Sequence, residues 1–275
     1  MKRNLLLIVV SFLICSNSFG QSYKRDFLIA LNARNLEKAE EVLNAWDFAD
    51  ANDPELYVSY FNFYTLKSQN AGTVANNGYD NEFSHKALDF ISDGIERFPT
   101  RFDMRVAKIF MLSKLKEFDP YTSEVIKFIE YSVEIRNNWK EENFQLLDKP
   151  DDMFHGSITE FQEILYSEEN EALYNKMLQI SETMIKCYPK HVQNMLDMST
   201  VYVHQKKYDK SLEILLKAKE IEPKNAILAF NLGHVYGLKG DRVSAKKYFE
   251  LTVANANDQE QQLKDVAKKL LDEIK

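Results

Sequence analysis

Apolar residues along this chain recur at spacings of three and four, the period of one face of a helix. In "AILAFNLGHVYGLK", Leu228, Leu232, Val235 and Tyr236 fall on one side, and in "SAKKYFELTV", Ala245, Tyr248, Phe249 and Thr252 do the same. Between the two stands "KGD". Lys239 suits a last turn, Gly240 a left-handed helix end and Asp241 a new N-cap, so the spacing predicts a helical hairpin. Strand-like alternation is almost absent, and eight glycines and six prolines punctuate 275 residues. The expected fold class is all-α.

A shift of the frame by 34 residues brings the same pattern back upstream. Leu232 then matches Met198, Gly233 matches Ser199 and Tyr236 matches Tyr202. Ala245 matches Ser211, Phe249 matches Leu215 and Thr252 matches Ala218. Asn257 takes the place of Pro223, whereas one frame earlier that place is held by Pro189. A 34-residue helix–turn–helix period with L-G-x-x-Y, then Ala, Phe, Ala and Pro, resembles the tetratricopeptide repeat. The resemblance covers residues 192–257, with its best units at 192–225 and 226–257. It implies an α–α solenoid of helical hairpins wound into a right-handed superhelix.

Elsewhere the pattern is partial. "EALYNKMLQISETMIKCYPKH" reads as the second helix of a preceding unit, and "HKALDFISDGIERFP" repeats the offsets of Ala, Gly and Pro at Ala87, Gly94 and Pro99. "KRDFLIAL" and "RNLEKAEEVLNAW" form a first pair. "ELYVSYFNFYTLK" is apolar nearly all round, as a helix buried between neighbours should be. "DMRVAKIFMLSKL" and "SEVIKFIEYSVEI" make another pair, joined by "KEFDPYT".

Two stretches break the period. Ser68 to Asn81 reads as a long polar loop. Arg136 to Ser157 fits no 34-residue frame and separates an N-terminal helical half, 21–136, from a C-terminal one, 158–257. The stretch 137–157 is a linker or a packed insertion, and Trp139, Phe144 and Phe154 favour the packed insertion. Residues 258–275 form a polar helix with Leu263, Val266, Leu270 and Ile274 on one stripe, suited to cap the last apolar face. The first twenty residues read as a signal peptide: Lys2 and Arg3, the apolar run Leu5–Ile14, then Ser18 and Gly20 before cleavage. Ten apolar residues fall short of the roughly 20 needed to cross a bilayer, so no stable membrane insertion is expected. Cys15 follows Ile14 where a lipoprotein peptidase wants a small residue, so soluble export is the expectation over lipidation. The "SFGQ" ending resembles exported proteins of the Bacteroidetes and points to the periplasm or beyond.

Without Lys2 and Arg3, the 35 Lys and Arg fall to 33 against 42 Asp and Glu, a net charge of −9. Nucleic-acid binders carry the opposite balance, so that partner is excluded. Cys187 is then the one remaining cysteine, which rules out an internal disulfide in the mature chain. In "MIKCYP", near a helix end, it reads as a small packed residue.

"GHVYGLKGD" matches neither a dinucleotide fingerprint nor a P-loop. Gly233 sits at the repeat's small-residue site, Gly240 ends a helix, and Gly237 is expected on the open side of the first helix. The five histidines lie too far apart for a local metal signature, and no H-E-x-x-H, C-x-x-C or G-x-S-x-G occurs. The most site-like cluster is "DDMFHGS", where Asp151, Asp152 and His155 bring two carboxylates and an imidazole together. No cofactor or metal is expected.

The resemblance implies a concave face lined by the first helix of each unit. It points to Gln193, Leu196, Thr200, Val203 and His204 from one unit, and to Ile227, Phe230, Asn231 and His234 from the next. Chaperone-tail-binding members of the family clamp a carboxylate with Lys, Arg and Asn in this groove. Here Asn231 is in place, but Leu196 and Thr200 stand where the clamp wants Lys and Asn. The groove suits an extended peptide or partner helix, with Phe230 as an anchor. The expected function is a non-catalytic, exported scaffold or escort for another envelope protein. The alternatives are a carbohydrate-capturing envelope protein, as in starch-binding lipoproteins that contain such repeats, and an enzyme with a site near Asp151–His155.

Overall fold

The computed structural model describes residues 19–71, 78–142 and 145–274. Phe144 and all but the last two residues of the expected signal segment lie outside the described residues. Contacts divide the chain into two compact units, one ending at Pro99 and the other beginning at Thr100.

The first unit holds α1 (Phe19–Asn32), α2 (Leu36–Ala49), α3 (Pro54–Asn70) and α4 (Asn81–Arg97). Its starts are written locally. Asn35 accepts a hydrogen bond from the backbone N–H of Lys38, Asp53 from that of Glu55, and Asp80 from that of Phe83. Each such cap stabilises its helix by about 1 kcal/mol. α3 is buried on most sides, through Leu56, Tyr57, Tyr60, Phe61 and Phe63, as its all-round apolarity predicts. Trp46 is fully buried and donates its indole N–H to Asp53 Oδ2 at 3.1 Å, tying the end of α2 to the start of α3. α3 runs on to Asn70, so the polar stretch expected from Ser68 begins inside a helix. Ser68 itself is buried, with its Oγ 2.7 Å from Ser84 Oγ on α4.

The second unit holds α5 (Phe102–Leu115), α6 (Phe118–Glu134), α7 (Pro150–Ser167), α8 (Glu171–Cys187), α9 (Val192–His204) and α10 (Tyr208–Ile221). It continues with α11 (Ala226–Leu238), α12 (Arg242–Asn255), a 3₁₀ turn (Asp258–Glu260) and α13 (Gln261–Glu273). The described residues contain no β-strand. The expected connector "KEFDPYT" is shorter than it reads. Lys116 adopts a left-handed conformation (φ 60°), and α6 begins two residues later with Pro120 in its first turn.

The aperiodic stretch 137–157 packs inside this unit. Trp139 is fully buried against Phe102, Phe128 and Tyr131, with ring centroids 5.7, 4.9 and 5.8 Å away. Lys140 exchanges backbone hydrogen bonds with Thr100 and Phe102 (2.9 and 3.0 Å), and Leu147 N–H reaches Trp139 O at 2.9 Å. Its last part is not a loop. α7 starts at Pro150, so Asp151–Ser157 is helical. The signals are in the sequence: proline fits the first turn, and Asp151 and Asp152 complement the helix N-terminus.

α9 to α12 share one core. Val192, Met195, Leu196, Met198 and Tyr202 meet Leu212, Leu215 and Ala218, then Leu228, Leu232 and Val235, with Tyr248 from α12. α13 covers the end of this stack on α11 and α12. Its contact stripe differs from the expected one by a step. Val266 is 45% exposed, while Ala267, Leu270, Leu271 and Ile274 pack on Ala245 and Phe249. A methyl at 267 lets α13 come close to α12, which a branched side chain there would prevent.

The two glycines assigned packing and punctuation are placed by contact. A Cβ on Gly233 would lie 2.8 Å from the Phe249 ring, and Gly240 has φ +80°, the left-handed end of α11. Gly237 is exposed, and a Cβ there would make only an ordinary contact, with Ala245 Cβ at 4.0 Å.

Candidate functional site

α7, α9 and α11 are the first helices of three successive hairpins, and each carries a row of exposed or half-buried residues at helical spacing. On α9 the row is Gln193, Asp197, Thr200 and His204. On α11 it is Ile227 (43% exposed), Asn231, His234 and Leu238. On α7 it is Glu163 and Tyr166, the latter 42% exposed. Counting 34 residues back from Asp197 and Thr200 leads to Glu163 and Tyr166. The rows on α7 and α9 join physically, because Tyr166 Oη lies 3.0 Å from His204 Nε2. Tyr174, from α8, lies against the same imidazole at 5.3 Å.

Not every residue expected on this face is available to a ligand. Gln193, Thr200, His204, Ile227, Asn231 and His234 are exposed or half-buried. Leu196 is 6% exposed and belongs to the core with α10, and Val203 is half-buried against that core. Phe230 is half-buried and spent on its own fold: its ring sits 5.7 Å from Phe249, in the cluster that α13 covers. The reason is general. A first helix must touch its neighbours on both flanks, and the capping helix claims surface that a bare repeat would display.

Asp197 is the most perturbed group on the face. It is half-buried and accepts a hydrogen bond from Gln193 Nε2 at 2.9 Å. Burial pushes its carboxyl up to about 6, with the Glu163 carboxylate adding to the shift and the Gln193 bond opposing it. The row residues include no Lys or Arg. The outer faces of α10 and α12, by contrast, carry Lys210, Lys217, Lys246 and Lys247 as exposed residues.

The Asp151–His155 cluster is real but differs in make-up from the expected one. Asp151 accepts a hydrogen bond from Asn137 Nδ2 at 2.6 Å, and Asp152 is exposed. His155 stacks on His191, with ring centroids 4.3 Å apart and planes 15° from parallel, and Tyr188 packs edge-on at 5.0 Å. Tyr188 Oη in turn lies 2.6 Å from Ser132 Oγ. Burial holds both imidazoles below the ordinary histidine range, His191 down to about 4, with the neighbouring imidazole adding to the shift of His191. They are therefore neutral at pH 7. Among the described residues, no three His, Cys, Asp or Glu side chains converge in a way that could hold a metal ion. The Cys187 thiol, at the end of α8, is pushed up by burial and stays protonated near neutrality, which makes it a weak nucleophile. Two surface depressions, of about 480 and 350 Å³, lie elsewhere. One is lined by Glu222–Ala226, Asn255, Asn257 and Glu260, and the other centres on Met198, Tyr202 and Ile214.

Residues 192–225 match the tetratricopeptide repeat family model. The match spans α9 and α10, the unit whose first helix carries Gln193, Asp197, Thr200 and His204. No curated protein matches the chain. Among solved structures, it is similar to YrrB, described as a TPR protein with an unusual peptide-binding site, at 13% identity over 90% of each chain, with a TM-score of 0.32. It is also similar to PilF of Pseudomonas aeruginosa, at 11% identity over 93% of this chain and 97% of that one, with a TM-score of 0.38. A TPR protein of Thermus thermophilus, TTC0263, shares 14% identity over 92% and 100% of the two chains, with a TM-score of 0.30. Scores of this size leave the site to be read from its own residues.

Proposed function

We propose that this chain is an exported, non-catalytic interaction module that holds an extended segment of a protein partner along the first helices of its C-terminal hairpins. The observation that carries the reading is the joined row on α7 and α9, continued one unit later on α11, in and beside the stretch that matches the repeat family. Packed helices stand about 8–10 Å apart and an extended chain rises about 3.3 Å per residue, so a bound segment advances roughly three residues per helix. Gln193, Thr200, Asn231 and His234 offer hydrogen bonds to its backbone and polar side chains, while Ile227 and Tyr166 offer apolar surface.

Export rests on the charged start, apolar run and small residues of the first twenty positions, and gives the module a scaffolding or escorting place in the cell envelope. Residues 21–275 would be used to capture partners from the native envelope. A variant with Ile227→Glu and His234→Ala, and a control with Lys217→Glu on the outer face of α10, would run in parallel. Loss of one protein from the first variant and its retention by the control supports the docking face. Equal retention by both removes it.

A further inference from the structure

We propose that the stacked His155–His191 pair is an acid-operated latch: neutral imidazoles close the first turns of α7 against the corner between α8 and α9, and protonation opens that corner. His155 lies in the second turn of α7, whereas His191 is the N-cap residue of α9. Asn, Asp or Ser at an N-cap would bond the helix's free N–H groups. His191 makes no such bond, and its ring is laid on His155 instead.

The geometry suits two neutral rings and does not suit a cation. Nδ1 of both residues is buried with no hydrogen-bond partner. A neutral imidazole can leave Nδ1 as a bare acceptor, but an imidazolium must carry a proton there. Protonation would therefore create a charged, buried donor without an acceptor, the most expensive kind of unmade hydrogen bond. A second proton would place two positive charges on rings 4.3 Å apart.

The groups facing the pair divide as follows. From α7, Asp151 and Asp152 favour charge on His155, yet Asp151 is already engaged by Asn137 and Asp152 is solvent-exposed. From the end of α10, Glu222 favours charge on His191. From the C-cap of α8, Tyr188 presents a ring edge to His155 and carries no charge at neutral pH, beside the neutral Cys187. Lys190 precedes His191 and is exposed. Burial outweighs the carboxylates at both sites, which is why each ring takes up its proton later than a free histidine.

The sign follows. The closed corner binds fewer protons than the open one between about pH 6.5 and the depressed values, so acid drives opening and neutral pH drives closure. Opening shifts the first turn of α9, which bears Gln193; that last consequence rests on the docking reading, whereas the latch does not.

The test is an NMR titration of the full mature chain between pH 7.5 and 4, following imidazole C–H resonances and the amides of 150–156 and 188–193. Single His→Gln variants assign the resonances. The expected result is that His155 and His191 both titrate below the ordinary 6.5, His191 down to about 4. Amide protection, corrected for intrinsic exchange, should fall at least tenfold in those two segments over the same range. His155→Phe with His191→Phe keeps a stacked pair that cannot charge, and it should retain protection at pH 4.5. Titration of both histidines near 6.5 overturns the proposal. So does depressed titration without loss of protection, or an acid opening that the double-Phe chain shares. A chain that passes this test but shows no pH effect on partner capture leaves the latch standing and counts against the docking face alone.

Discussion

Gly233 on α11 faces the ring of Phe249 on α12 so closely that a Cβ at 233 would sit 2.8 Å from two of its carbons. Phe249 is 3% exposed and packed against Ala245 and Ala267, so it has nowhere to retreat. Gly233→Val should destabilise the chain by about 1–3 kcal/mol, the usual range for overpacking, despite removing a helix-interior glycine. Urea unfolding followed by circular dichroism measures it. A midpoint equal to wild type would mean the hairpin closes without needing the small residue.

One repeat upstream the same crossing is made by a different device. Ser199 and Ser211 replace Gly233 and Ala245, and their hydroxyls lie 2.7 Å apart in a fully buried contact. Ser211→Ala should cost about 1 kcal/mol or more by leaving Ser199 short of a partner, and the double Ser→Ala chain should recover part of that loss. Additive losses in the double-mutant cycle would show the pair to be uncoupled.

Trp139 makes the aperiodic stretch part of the fold. Its side chain is fully buried, with the indole N–H on Asn137 Oδ1 at 3.2 Å. Trp139→Ala should lower stability by about 3–5 kcal/mol, as for other buried aromatic truncations. A loss below about 1 kcal/mol would mean that the stretch behaves as a tether.

Asp197 predicts a pH dependence of definite sign. Its folded carboxyl titrates near 6, above the ordinary value of 3.8, so the folded chain holds a proton that the unfolded chain has released between those values. Stability from this group is complete below about pH 4 and is lost as pH rises through 6. Asp197→Asn should therefore stabilise the chain by on the order of 2 kcal/mol at pH 7.5 and hardly at all at pH 4. Equal effects at both pH values would show that the carboxylate is solvated.

The parts of this fold that were legible are those encoded by near neighbours. Asp241 caps its helix through Ser244, Gly240 ends α11, and the 34-residue offset joins Ser199 to Gly233. What was not legible depends on distant chain. Leu196 and Phe230 look like groove residues from their spacing, and only α10 and α13 reveal them as core. His155 and His191 stand 36 positions apart and meet because α7, α8 and α9 pack together. Glu163 and Tyr166 could have been found by one more 34-residue step. They were hidden because Arg136 to Ser157 fits no 34-residue frame, although Pro150, Asp151 and Asp152 are helix-start residues.

The most direct test of the docking face is site-specific photo-crosslinking in the native cells. A photoreactive side chain would be placed at Thr200 on the α9 row, and in a second chain at Glu213 on the outer face of α10. An interaction module that works through its first helices gives a discrete protein adduct from position 200 and none from 213. Adducts from 213 alone, or the same adducts from both, would contradict it.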